Sequence, residues 1–168
     1  MNEHYEDVRA FLQNPEDVDS LFESEALIWV DWREDDEDLI RYFNDELEEQ
    51  FEVQLVDNNK PYGDDIVLKQ GEKQLTIPYK EELDRDTTIK YLNEFIKPKY
   101  EIRWAMESLG NDTLAFVLLE ANQWKSLEDE FGKDNVCFHF ATIDLEKSMF
   151  DLSFDEVSKL LDIRDSKK

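Results

Sequence analysis

Two runs of strand-forming residues, YEIRWAMES (100–108) and DTLAFVLLE (112–120), stand on either side of Gly110-Asn111. The first run alternates, the second is apolar from Leu114 to Leu119, and Gly-Asn supplies the left-handed backbone that a tight hairpin turn demands. The pattern commits the chain to an antiparallel hairpin. Ile102, Trp104 and Met106 should share one face of the first strand, and Leu114, Phe116 and Leu118 one face of its partner. Because the runs are so apolar, this hairpin belongs at the centre of a sheet.

The rest of the chain supplies what surrounds it. FEVQLV (51–56) alternates apolar and polar residues, and DIVLKQGEKQLTIPY (65–79) reads as two strands about Gln70-Gly71. ALIWVDW (26–32) and NVCFHFATI (135–143) are the remaining strand candidates. DNNKPYGDD (57–65) is the strongest loop signal. Helices are predicted over 3–13, from Pro15 to about Glu23, over 34–50, over 84–97 with Ile89, Leu92, Phe95 and Ile96 inward, over 122–132 and over 153–163. Their expected stops and starts are Asn14-Pro15, Pro98, an Asn122 cap, Gly132 and a Ser153 cap. Helices interspersed with hairpins point to an α+β fold, a mainly antiparallel sheet covered by helices. With 168 residues and no linker-like tract, one domain over 1–163 is expected, followed by a frayed tail at 164–168.

Charge is the second constraint. The formal net charge is −24, with 43 acids against 19 bases, yet aromatic residues reach 12%, enough to build a core. An acidic surface of this strength repels nucleic acid and anionic membranes and attracts basic partners. No run approaches the roughly 20 apolar residues of a membrane span. The N-terminus MNEHYEDVRAFL lacks a signal-peptide pattern, and one cysteine, Cys137, allows no internal disulfide. A soluble cytoplasmic protein is the expectation.

Catalytic and metal motifs are absent from the sequence, and no cofactor is expected. Cys137-x-His139 offers two metal ligands where three or four must converge. On a strand these two side chains would share a face, and His139 reads as structural. DNNKPYGDD has Pro61 where a calcium loop needs its third ligand and no Glu at the twelfth position, while DRDTT and EDDED lack the glycine. There is no phosphate-cradling glycine loop and no basic patch interleaved with aromatics. Carboxylate pairs are too common here to mark a hydrolytic site.

The acids are unevenly placed. Residues 1–50 hold 18 acids and three bases, a net −15. Ten of the twenty residues from Asp31 to Gln50 are acidic. In the predicted helix 34–50, Leu39, Ile40, Phe43 and Leu47 form one apolar stripe, and Glu34, Asp38, Asp45 and Glu49 lie opposite. Like charges four residues apart each cost roughly 0.2–0.5 kcal/mol. Asp45, Glu46, Glu48 and Glu49 also occupy the wrong end of the helix dipole. A solvated face would mix signs; a one-signed face suits electrostatic docking. The candidate partner-binding residues are Trp32, Asp35, Asp38, Asp45, Glu46 and Glu49. Trp32, at the end of a strand, is read either as core or as an aromatic anchor beside the acids.

The stretch YEIRWAMESLGNDTLAFVLLEANQWKSLEDEFG (100–132), through its pattern EIR…ES-GNDTLAF…W..LE..FG, resembles small uncharacterised bacterial proteins found beside secreted polymorphic toxins. It covers about a fifth of the chain. The acidic face suits a basic toxin that grips nucleic acid, such as a nuclease, and the resemblance implies an immunity-type inhibitor that binds and neutralises its cognate toxin. Two other readings accompany it. One is a DNA mimic bound to a chromosomal DNA-binding protein, since carboxylates about 6 Å apart along a helix approach phosphate spacing. The other is an enzyme with an unrecognised carboxylate site.

Overall fold

The computed structural model describes residues 2–31, 36–47, 50–60, 63–78, 85–109, 113–143 and 154–166. Among the described residues, two antiparallel sheets and seven helices make up an α+β fold. The expected hairpin is its centre: β5 (Tyr100–Ala105) pairs with β6 (Thr113–Glu120), Trp104 opposite Phe116 and Ile102 opposite Leu118. The Gly110-Asn111 turn lies outside the described residues. β1 (Leu27–Asp31) pairs with the other side of β6, and β7 (Phe140–Thr142) with that of β5.

Every residue from Leu114 to Leu119 is buried. Alternation along the strand divides them between two cores. Leu114, Phe116 and Leu118 join Ile102 and Trp104 in one, with Met106 packed against it. Ala115, Val117 and Leu119 join the other. The first core is closed by α3 (Asp36–Asp45), α4 (Arg85–Ile96) and the second sheet, in which β3 (Gly63–Gln70) lies between β2 (Glu52–Lys60) and β4 (Lys73–Thr76). The second core is closed by α1 (Asn2–Gln13), α2 (Val18–Phe22), α5 (Ala121–Phe131) and α6 (Lys133–His139). The antiparallel strands thus form two sheets, where the sequence suggested one.

Polar contacts lock these layers. Asn44 on α3 receives the Phe51 N–H at 3.0 Å and donates to the Phe51 carbonyl at 2.9 Å, a strand-like pairing that fixes the entry to β2. Lys73 donates through Nζ to the Phe95 and Lys97 carbonyls, satisfying the C-terminal end of α4 from β4.

Several local expectations need correction. The helix expected over 34–50 stops at Asp45, and the one expected from Pro15 starts at Val18 behind an Asp17 cap. The 135–143 stretch is not one strand: α6 covers Lys133–His139 and only Phe140–Thr142 is β. Gly132, at φ +90, ends α5 and redirects the chain, and the Val136 N–H bonds the Gly132 carbonyl at 3.0 Å. DNNKPYGDD is largely hairpin: β2 runs to Lys60 and β3 resumes at Gly63. The register shifts between Asp57 and Lys60, where Asn59 takes φ +59 and donates its N–H to Asp57 at 3.0 Å. Helix α5 is capped by Glu120, not Asn122, through a capping box with Gln123. Finally, the last helix, α7 (Phe154–Ser166), continues past Ile163 and its Arg164 is buried, while 167–168 of the expected tail lie outside the described residues.

Candidate functional site

On α3 the apolar stripe behaves as its spacing demands: Leu39, Ile40, Phe43 and, just beyond the helix, Leu47 are buried. Not every acid on the helix is wet. Asp36 is buried and accepts the Thr88 hydroxyl of α4 at 2.6 Å, so it ties α3 to α4. Glu37 pairs with Arg41 one turn on. Asp38 is half-buried and Asp45 exposed, and among the described residues no hydrogen bond or ion pair engages either. Glu46 lies 3.5 Å from His4 Nδ1, which brings α1 to the edge of the face. Trp32, Asp35 and Glu49 lie outside the described residues.

Sequence reasoning missed Tyr42. It sits four residues after Asp38 and three before Asp45, hence on their side of the helix, and is 41% exposed. The signal was available: Tyr42 falls outside the stripe formed by Leu39, Ile40 and Phe43. The outward side of α3 therefore presents an aromatic ring between two uncompensated carboxylates about 10 Å apart along the axis. Leu55 and Val56, also exposed, lie on β2, an edge strand of the smaller sheet.

A second polar constellation lies against the other core. Glu107 follows β5 in a short 3-10 turn, His139 ends α6, and Arg164 comes from α7. One Glu107 oxygen accepts both His139 Nδ1–H at 2.8 Å and Arg164 Nη2–H at 2.6 Å. Arg164 also donates to the Phe138 carbonyl and lies 4.2 Å from the Phe138 ring centroid. The imidazole meets Phe11 edge-on at 5.2 Å. His139 and Glu107 border a cleft of about 860 Å³ whose other walls include Pro15, Glu16, Val18 and Asp134. The expected face shared by Cys137 and His139 does not exist, because both stand on a helix two residues apart. Half-buried Cys137 instead has its Sγ 3.9 Å from Arg103 Nη1.

Arg103 heads a third cluster. Its guanidinium is 3% exposed as a residue, lies 4.7 Å from the Trp124 ring centroid, and pairs with Glu101 at 3.0 Å and Glu128 at 3.4 Å. Trp124 Nε1 donates to the Glu101 carbonyl at 2.9 Å. These contacts fasten α5 to the sheet, a structural role. Nearby, Arg9 of α1 grips Glu130 of α5 through two bonds of 2.8 and 2.9 Å. The Arg9 hydrogen bond holds the Glu130 carboxyl below its ordinary range. Among the described residues no group of three or more His, Cys, Asp or Glu could hold a metal ion, and no helix is long and apolar enough to cross a membrane.

No family model, curated protein or solved structure matches the chain.

Proposed function

We propose that the chain is an acidic, immunity-type inhibitor that binds a basic bacterial toxin in the cytoplasm and neutralises it. The observation that carries the reading is the Asp38–Tyr42–Asp45 stripe on α3. Carboxylates without partners give a one-signed field that draws a basic surface, and an exposed aromatic between them supplies an anchor to bury once contact is made. Neither feature serves the core, which Leu39, Ile40 and Phe43 already fill. A nuclease toxin suits this face because its substrate groove is itself lined with cations. The face itself, without any reaction chemistry of its own, would do the inhibiting.

The test places a photo-crosslinking phenylalanine analogue at position 42 and recovers the adduct from the native host. The expected adduct is a basic toxin whose killing is prevented by the wild-type chain and not by the Tyr42→Ala/Asp38→Lys/Asp45→Lys variant. A chromosomal DNA-binding protein in the adduct would transfer the face to the DNA-mimic reading. Undiminished protection by the triple variant would refute the docking role of α3.

A further inference from the structure

The cleft beside His139 shares no lining residue with the α3 face, so a ligand bound there is read separately from the proposed inhibitor role. Arg164 and His139 converge on the same Glu107 oxygen, so that oxygen is an acceptor twice over. In the neutral imidazole the proton therefore sits on Nδ1, and Nε2 carries the lone pair. His139 is 7% exposed. Its Nε2 makes no hydrogen bond among the described residues, yet it is not one of their sealed, unsatisfied side-chain atoms, which are Tyr100 Oη, Trp104 Nε1 and Glu128 Oε2. His139 lines the cleft, and Nε2 is the ring nitrogen left to serve it, since Nδ1 is held by Glu107.

The carboxyl side chains that line the cleft are Glu16, Glu107 and Asp134. Glu16 and Asp134 are exposed carboxylates that no hydrogen bond or ion pair engages among the described residues. Together with Nε2 they supply three acceptors, beside the Asn135 amide, which can accept or donate, and the rest of the lining is apolar, from Pro15, Val18 and Phe138. The ligand that complements such a site has donors and no acceptors at its tip, positive charge, and an apolar stem. Among biological groups these are alkyl-guanidinium and alkyl-ammonium. We infer that the His139 cleft is a binding site for an alkyl-linked guanidinium or ammonium group, held by Glu16 and Asp134 and oriented by His139 Nε2. Glu107 and Arg164 act as positioning residues that fix the ring and its tautomer.

The experiment reads the His139 ring by NMR, the chain having only two histidines and His4→Gln identifying the other signal. N-acetyl-arginine amide is the probe and N-acetyl-citrulline amide the uncharged isostere. The arginine probe should shift the His139 ring signals saturably and the citrulline probe should not. Glu16→Gln/Asp134→Asn, both at exposed positions, should weaken binding by about tenfold or more, since two charge-assisted contacts are lost. Asp38→Asn/Asp45→Asn removes the same charge elsewhere and should leave binding within about twofold, which separates a built site from the general field. A third arm uses acetyl-Gly-Gly-Arg-Gly-Gly-amide. Binding tighter than the single residue by about tenfold assigns the cation to a protein segment, and equal binding assigns it to a free small molecule. Absence of saturable shifts with the arginine probe, equal shifts with citrulline, or equal weakening by the α3 double variant would each overturn the inference.

Discussion

Arg103 illustrates how a single buried cation binds this fold together and how removing it would act. Its charge is desolvated on the sheet, and its stabilising effect comes from Glu101, Glu128 and the Trp124 face acting together. Breaking a buried pair from one side leaves the other charge uncompensated and costs more than the pair contributes. Glu128 is already strained in this sense, because its Oε2 is buried without a hydrogen bond. Arg103→Met is expected to lower the free energy of unfolding by about 3 kcal/mol, measured by urea denaturation. Adding Glu101→Gln and Glu128→Gln to it should restore about 1 kcal/mol or more, since the orphaned charges go with them. A loss below about 1 kcal/mol for Arg103→Met alone would reduce the cluster to the level of ordinary surface pairs.

At the scale of elements, the α5–α6 junction turns on one residue. Gly132 ends α5 at φ +90 and ψ 136, a region that a Cβ disfavours, although a Cβ there would meet no atom within 4 Å. The cost of Gly132→Ala is therefore backbone strain without a clash, about 1–3 kcal/mol in urea unfolding. A loss under about 0.5 kcal/mol would mean the junction relaxes freely. This junction is also where the sequence misleads. Val136 and Phe140 both face the core, four residues apart, and a spacing of four satisfies a strand period of two as well as a helical turn. Gly132 is the residue that resolves the ambiguity, by restarting the chain as a helix. The β5–β6 hairpin was legible because two runs of strand-forming residues, YEIRWA and TLAFVLLE, flank a Gly110-Asn111 turn signal. On α3 the stripe Leu39, Ile40 and Phe43 fits only a helical period, so its wet side could be deduced. The His139 cluster could not, because Glu107, His139 and Arg164 lie 32 and 57 positions apart in pairings that only the tertiary fold creates.

At the scale of the whole molecule, a net charge of −24 sets a field that any basic partner feels before contact. The docking reading requires more than that general field: it requires that charge on α3 count for more than charge elsewhere. Asp38→Lys/Asp45→Lys reverses the two uncompensated carboxylates beside Tyr42. Helix α3 should tolerate both, with opposite small effects. Lys at position 38 sits in the first turn and is unfavourable to the dipole, whereas Lys at 45 ends the helix and is favourable, each by about 0.3–1 kcal/mol. Thermal stability should thus stay nearly constant. Association with the identified partner, followed by stopped-flow fluorescence at low salt, should slow by about tenfold. The difference should shrink toward none near 1 M salt, where the screening length is about 3 Å. Dissociation should change less, because exposed charges steer encounter more than they hold the complex, and Tyr42→Ala should show the converse pattern, with faster dissociation and little change in salt dependence. An equal slowing from two acid-to-lysine changes at exposed positions on α5 and α7, Asp129→Lys and Asp162→Lys, would reduce the effect to net charge and leave α3 a solvated helix.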